Sequence, residues 1–192
     1  MSDWVLDVPL RTERLELREH RAGDLEDLLV FHGDPQVTRY TPWPVRDREQ
    51  TAVALDKRLT LTRAAEPGQA ISLAVVERAS GAVIGEVLLM RRSDSTAELG
   101  YAIRTDRWGR GLASEAVRAL LDGAATLGVT DVRAVVVDGN DASVRLLGRM
   151  GFTELGVPGP PAKDGSPTRT FALTLGREDR RDGLPRAGRW GA

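Results

Sequence analysis

A mixed α/β fold is what this chain of 192 residues predicts, on three observations. Short alternating segments of strand character are interleaved with apolar-periodic segments of helical character. Val132 to Val137 is nearly all apolar, as expected of a strand buried on both faces. The stretch Trp108-Gly109-Arg110-Gly111-Leu112-Ala113-Ser114-Glu115-Ala116 joins an alternating run, Glu98 to Ile103, directly to a helical pattern.

The elements follow in order. From Thr12 to Glu19, Leu15 and Leu17 alternate with Arg14, Glu16 and Arg18, which reads as a half-buried strand. Asp24 reads as the N-cap of a helix bearing Leu25, Leu28, Leu29 and Phe31, closed by Asp34-Pro35. After a loop holding Tyr40 and Pro42-Trp43-Pro44, a second helix is expected from Arg46 to Ala65, stopped by Pro67-Gly68. Ile71 to Glu77 and Ala82 to Met90 read as strands joined by Ala79-Ser80-Gly81, with Thr96 to Ile103 as the third in series. Leu112, Ala116, Val117, Leu120, Leu121 and Ala124 mark one face of a helix that reaches Leu127-Gly128. Asn140 caps a short helix that ends at Gly151, and Phe152 to Val157 and Thr168 to Leu175 close the fold. Residues 1–11 read as an N-terminal extension, 12–175 as the domain, and 176–192 as a mobile tail rich in Arg and Gly.

Gly109 and Gly111 carry the chemistry. Two glycines separated by one residue at a strand-to-helix seam let the backbone approach a ligand, and the first helical N–H groups lack partners. Such an end, with its positive dipole, seats a phosphate. A nucleotide P-loop is excluded because Leu112 follows Gly111 where Lys is needed. A dinucleotide fingerprint is excluded because Glu115 stands in the third-glycine slot.

Composition narrows the chemistry further. The net charge is −1, which does not suggest a nucleic-acid surface. There is no cysteine, so disulfides, thiolate metal sites and cysteine-linked acyl-enzymes are out. His20 and His32 are the only histidines, too few for a multi-histidine metal centre, and no metal is expected. The N-terminus lacks a signal pattern and no run approaches a membrane span, so a cytoplasmic protein is expected.

The glycine loop resembles the acyl-CoA pyrophosphate loop of the GCN5-related N-acetyltransferases, the GNAT superfamily, whose pattern is Gln/Arg-x-x-Gly-x-Gly/Ala. Trp108 stands where Gln or Arg is usual, as in the branch that acetylates ribosomal-protein N-termini. The opening Thr-Glu-Arg-Leu-Glu-Leu-Arg and the run Asn140 to Phe152 match the same branch, and the resemblance covers Thr12 to Leu175. It implies a twisted, mostly antiparallel sheet of about seven strands flanked by about four helices, splayed between its fourth and fifth strands.

The resemblance also implies the site. Acetyl-CoA, as acyl donor, is held by the backbone at Ala102, Ile103 and Arg104 and by the loop residues Trp108, Gly109, Arg110, Gly111, Leu112, Ala113 and Ser114, with Asn140 contacting the CoA arm. Ser143 protonates the leaving thiolate, and Tyr40 and Trp43 belong to the loop that roofs the acceptor site. Amine acetylation needs a neutral nitrogen, so a base or water must take its proton. Glu98, sharing a strand face with Gly100 and Ala102, is the expected base, with Glu86 on the neighbouring strand second. His20 and His32 read as structural or exposed, and Glu115 as a structural partner. The expected activity is direct transfer from acetyl-CoA to a primary amine, of a protein N-terminus or a small molecule, in a ternary complex. A non-catalytic acyl-CoA-binding module is the alternative, and a homodimer is left open.

Overall fold

Short turns between consecutive apolar runs make antiparallel pairing the cheapest arrangement, and most of the sheet is built that way. The computed structural model describes residues 3–176; the expected tail beyond them, 177–192, lies outside the described residues. Strands β1 (Leu10–Arg11) and β2 (Leu15–Glu19) precede helices α1 (Leu25–His32), α2 (Pro35–Thr38) and α3 (Arg48–Leu59). Strands β3 (Ala70–Glu77), β4 (Val83–Arg91) and β5 (Thr96–Ile103) follow in series. Then come α4 (Leu112–Thr126), β6 (Asp131–Val137), α5 (Asp141–Arg149), β7 (Thr153–Pro158) and β8 (Thr168–Thr174).

The strands form one sheet in the order β1-β2-β3-β4-β5-β6-β8-β7. Every neighbouring pair is antiparallel except β5 with β6, which α4 connects as a crossover. One face of the sheet packs Leu15, Leu17, Ile84, Leu99 and Ile103 against Leu112, Ala116, Val117 and Leu120 of α4 and Leu146 and Leu147 of α5. The other face carries a smaller cluster of Leu28, Phe31, Val37, Leu55 and Ala102, with Trp43 packed on it. Helices therefore cover both faces, and the eight strands and five α-helices among the described residues give the expected α/β architecture.

Several boundaries differ from the sequence reading, each for a local reason. Asp24 precedes α1 but does not cap it. Its carboxylate accepts from Arg18 at 2.8 and 2.9 Å and from the Arg21 backbone N–H at 2.8 Å, closing a 3-10 turn at Ala22–Asp24. Helix α1 ends at His32 with Gly33 as its C-cap, and Asp34 caps the extra helix α2, accepting from the Gln36 N–H at 2.8 Å. The second expected helix is shorter than Arg46 to Ala65. Asp47 and Gln50 form a reciprocal capping box at its start. Beyond Leu59 the chain leaves the helix because Ala64 exchanges two backbone hydrogen bonds of 3.0 Å with Trp4. Residues read as an extension thus enter the fold: Trp4 and Leu6 are buried, and β1 pairs with β2.

Candidate active site

The parallel pairing of β5 with β6 runs from Thr96 opposite Asp131 to Leu99 opposite Ala134, and stops there. Gly100 to Ile103 and Val135 to Val137 continue without pairing to each other, so a cleft opens between them. On its far side β5 stays in register with β4 up to Gly85 opposite Ile103, and β6 with β8 up to Val137 opposite Thr168. Each strand is therefore rigid on its outer side and open on its inner one.

Strand alternation fixes which backbone groups face that cleft. The Arg104 N–H donates to the Ile84 carbonyl at 2.8 Å, so Arg104 and, two residues back, Ala102 direct their backbone groups at β4. Tyr101 and Ile103 direct theirs at the cleft. This corrects the expectation that Ala102, Ile103 and Arg104 together present backbone to a ligand: Ile103 does, the other two do not. The Ala102 side chain instead faces the cluster that contains Trp43. The Arg104 guanidinium pairs with Asp106 at 3.1 Å.

The loop leaving β5 is shaped by its glycines. Gly109 and Gly111 adopt φ values of 74° and 75°, a left-handed conformation that costs other residues strain. Gly111 is the N-cap of α4 and provides no capping side chain. Among the described residues, none of the backbone N–H groups from Gly109 to Ser114 has a hydrogen-bond partner. They lie at the positive end of a 15-residue helix, an arrangement suited to a pyrophosphate. The loop is anchored from both sides. Trp108, 49% exposed, donates its indole N–H to the Ile103 carbonyl at 2.7 Å. Arg14 donates to the Arg110 carbonyl at 2.9 Å, while Glu115 accepts from Thr12 at 2.5 Å and from Arg14 Nε at 2.7 Å. Glu115 is thus a structural anchor between α4 and the start of β2.

Two sets of polar side chains flank the cleft, one on each face of the sheet. On the α4–α5 face, Asn140 caps α5 by accepting from the Ser143 N–H at 3.2 Å. The Tyr101 hydroxyl, two residues past the last β5–β6 rung, is buried and among the described residues has no hydrogen-bond partner of good geometry. Burial raises its pKa, and the neighbouring Ser143 side chain opposes that shift. Tyr101 is a site residue that the sequence reading passed over. Its only signal was an aromatic on the core face of a strand, which reads equally well as packing.

The opposite face holds a buried ionic cluster. Glu86, directly opposite Ala102, is gripped by both Arg58 Nε and Arg58 Nη2, the latter at 2.5 Å, and lies 3.7 Å from His32 Nε2. Burial alone would raise the pKa of Glu86, but His32 and Arg58 outweigh it and bring it to about 2. Burial lowers the pKa of His32 despite Glu86, and takes His20 to about 4. Both histidines are buried structural groups; His20 Nε2 lies 3.2 Å from the Ser72 hydroxyl. Trp43 sits over this cluster, 5.5 Å from His32 and within 5.4 Å of both Arg46 and Arg58. Tyr40 reaches across the cleft end, its hydroxyl donating to the Gly139 carbonyl at 3.2 Å. Lys163 secures the same loop through the carbonyls of Thr38, at 2.5 Å, and Thr41, at 2.9 Å.

Glu98 stands elsewhere, and here the sequence reading is corrected. It shares the face of Ala102 but lies four residues back, ~13 Å along the strand. It falls within the closed, paired part of the sheet opposite Arg133 and Met90. Its carboxylate is held by Arg92 Nε at 3.0 Å and Nη2 at 2.5 Å. Among the described residues no cluster of His, Cys, Asp and Glu suits a metal, and no helix is long and apolar enough to cross a membrane.

An open sheet split between two parallel strands, with a loop of unbonded amides where the split ends, is the frame of an acyltransferase. The acetyltransferase (GNAT) domain family matches residues 14–153, and the chain belongs to that family. It is 31% identical over 154 residues to an uncharacterized N-acetyltransferase, p20, of Bacillus licheniformis, covering 77% of this chain and 84% of that one. An acetyltransferase of the GNAT family from Bacillus anthracis superposes with a TM-score of 0.74 at 21% identity, over 85% of this chain and 96% of the other. RimL, a ribosomal L7/L12 α-N-protein acetyltransferase in complex with coenzyme A, superposes with a TM-score of 0.72 at 19% identity, over 85% and 96%. The latter two likenesses bear on the fold.

Proposed function

We propose that this enzyme transfers an acetyl group from acetyl-CoA to a primary amine by direct attack in a ternary complex. The observation that carries the reading is the break in the β5–β6 ladder after Leu99, which lies immediately ahead of the unbonded N–H groups from Gly109 to Ser114. A pantetheine arm entering the cleft would hydrogen-bond the backbone groups of Tyr101 and the Ile103 N–H as a further strand would, the Ile103 carbonyl being taken by Trp108, with the pyrophosphate on the loop. Ile103, Trp108, Gly109, Arg110, Gly111, Leu112, Ala113, Ser114 and Asn140 are the donor-side residues in this reading. The acceptor enters from the opposite face, beneath Tyr40 and Trp43.

The proton flow follows from the two flanking sets. The departing thiolate is protonated from the Tyr101 and Ser143 hydroxyls, Tyr101 being kept neutral by its burial. Among the described residues no strong base faces the acceptor: Glu86 is locked by Arg58 and too acidic, and Glu98 is too far away. The acceptor amine therefore loses its proton to water, which an α-amine of pKa near 8 does readily. Glu98 takes no part in this reading.

Thiol release from acetyl-CoA in the presence of an amine panel tests the proposal. Double-reciprocal plots should intersect, because a chain without cysteine offers no thiol to carry the acetyl group. Tight acetyl-CoA binding with no thiol release over peptides, polyamines and amino acids would instead establish a binding module.

A further inference from the structure

We propose that the acceptor side carries an anion subsite at Arg46 and Trp43, so that the preferred amine is one bearing a carboxylate or a phosphate. This rests on the acetyl-transfer reading above and specifies its substrate class. Arg46 is half-buried, its Nη1 lying 3.4 Å from His32 Nδ1 and its guanidinium 5.3 Å from the centre of the Trp43 ring. No carboxylate among the described residues forms an ion pair with it.

The neighbouring charges are accounted for. Arg58 is held by Glu86, Arg48 by Glu26 and Arg104 by Asp106. Asp34 serves the Gln36 N–H and the Thr105 hydroxyl, and Asp47 caps α3. Lys163 is occupied by backbone carbonyls. His32 compensates nothing: its Nδ1 accepts from Arg46, which puts its proton on the Nε2 that faces Glu86. A guanidinium held against neutral groups and beside a second guanidinium lacks the acceptor its geometry suits. Burial, and after it Arg58, lowers the pKa of Arg46, the direction an incoming anion would reverse.

A second observation comes from the other partner in the contact. Among the described residues the buried Trp43 indole N–H has no hydrogen-bond partner. A buried donor left unpaired is costly, and an indole N–H without an acceptor beside a guanidinium without an anionic partner points to a ligand oxygen. Arg46 also lines, with Gln50, Val53, Lys57 and Arg58, an open cavity of about 490 Å³ along α3, which Asp47 and Glu49 border without pairing to Arg46 and which Trp43 does not reach. Trp43 packs in the cluster that contains Ala102, on the face opposite the thiol donors. An acceptor whose anion rests on Arg46 and Trp43 would thus present its amine toward the cleft.

Matched substrates test this at saturating acetyl-CoA: an α-amino acid against its decarboxylated amine, and phosphoethanolamine against ethanolamine. At least one anionic member should show a KM tenfold or more below that of its neutral partner, and the pair that responds identifies carboxylate or phosphate. Arg46→Gln should collapse the ratio of the two KM values to near one, Arg46→Lys should keep part of it, and Trp43→Phe should reduce it. Calorimetric titration of the anionic amine into the CoA-loaded protein should show the same loss, tenfold or about 1.4 kcal/mol, in Arg46→Gln. A wild-type ratio near one, or one that survives Arg46→Gln, overturns the subsite and leaves the transferase reading standing. Absence of thiol release with every amine overturns both.

Discussion

The Trp108 indole N–H donates to the Ile103 carbonyl at 2.7 Å, so the phosphate-loop candidate is fastened by a side chain to the last residue of β5. The hydrogen bond sets the reach between the cleft and the loop. It also explains how a tryptophan stands where the family pattern has glutamine or arginine. Trp108→Phe keeps the ring and removes the donor. It should weaken acetyl-CoA three- to tenfold by calorimetry, about 0.7–1.4 kcal/mol, with little loss of melting temperature because the residue is half exposed.

Gly111→Val should act through conformation. A Cβ at this position meets only Arg14 Nη2, at 3.6 Å, so the protein has room for it, but its φ of 75° does not suit valine. Relief of that strain rotates the loop amides, and acetyl-CoA should bind at least tenfold more weakly. Unaltered affinity in a folded variant would remove the loop from the donor site.

Tyr101 and Glu98 separate two accounts of proton transfer. Tyr101→Phe deletes the unpartnered hydroxyl and should lower kcat roughly 10–100-fold, somewhat less than a full general acid supplies because Ser143 remains. The defect should shrink with acyl donors whose thiol is more acidic. Glu98→Gln should leave kcat within about threefold of wild type, since it breaks only a surface pairing with Arg92. A large loss in Glu98→Gln would return the base to that carboxylate. In the wild type, kcat/KM should rise with pH and level off near the pKa of whichever amine is used, shifting as the amine is changed.

Acid stability should report the buried cluster. His20 has its pKa lowered from 6.5 to about 4, so the unfolded chain binds its proton more tightly than the folded one. Its contribution is present above pH 6.5 and is lost as pH falls toward 4, on the order of 3 kcal/mol at most. Glu86, lowered from 4.5 to about 2, adds a loss that begins below 4.5. Thermal melts should therefore fall from pH 6.5 downward and steepen below 4.5. His20→Gln should flatten the upper part of that curve; an unchanged slope between pH 6.5 and 4.5 would contradict the assignment.

What the sequence determined by itself were the features written in local periods and local backbone needs. Alternation gave β2 and β5, the hairpin signal at Ala79-Ser80-Gly81 gave β3 and β4, the 3.6-residue stripe gave α4, and the Gly109–Gly111 pair marked a strand-to-helix loop whose left-handed φ angles only glycine adopts readily. Asn140 was legible as a cap for the same reason: the bond it makes is to Ser143, three residues away. Tertiary structure decided the rest, because it depends on register and on contacts between distant segments. Glu86 and Glu98 sit on one face of adjacent strands and look alike in sequence; only the rung at which β5 parts from β6 tells that Glu86 lies beside Ala102 at the cleft and Glu98 in the closed sheet. The grip of Arg58 on Glu86 spans 28 residues, and the contact of Arg46 with His32 spans 14, so no spacing rule announces either. Parallel pairing between β5 and β6 is what the chain cannot write locally, and where that pairing ends is where the site begins.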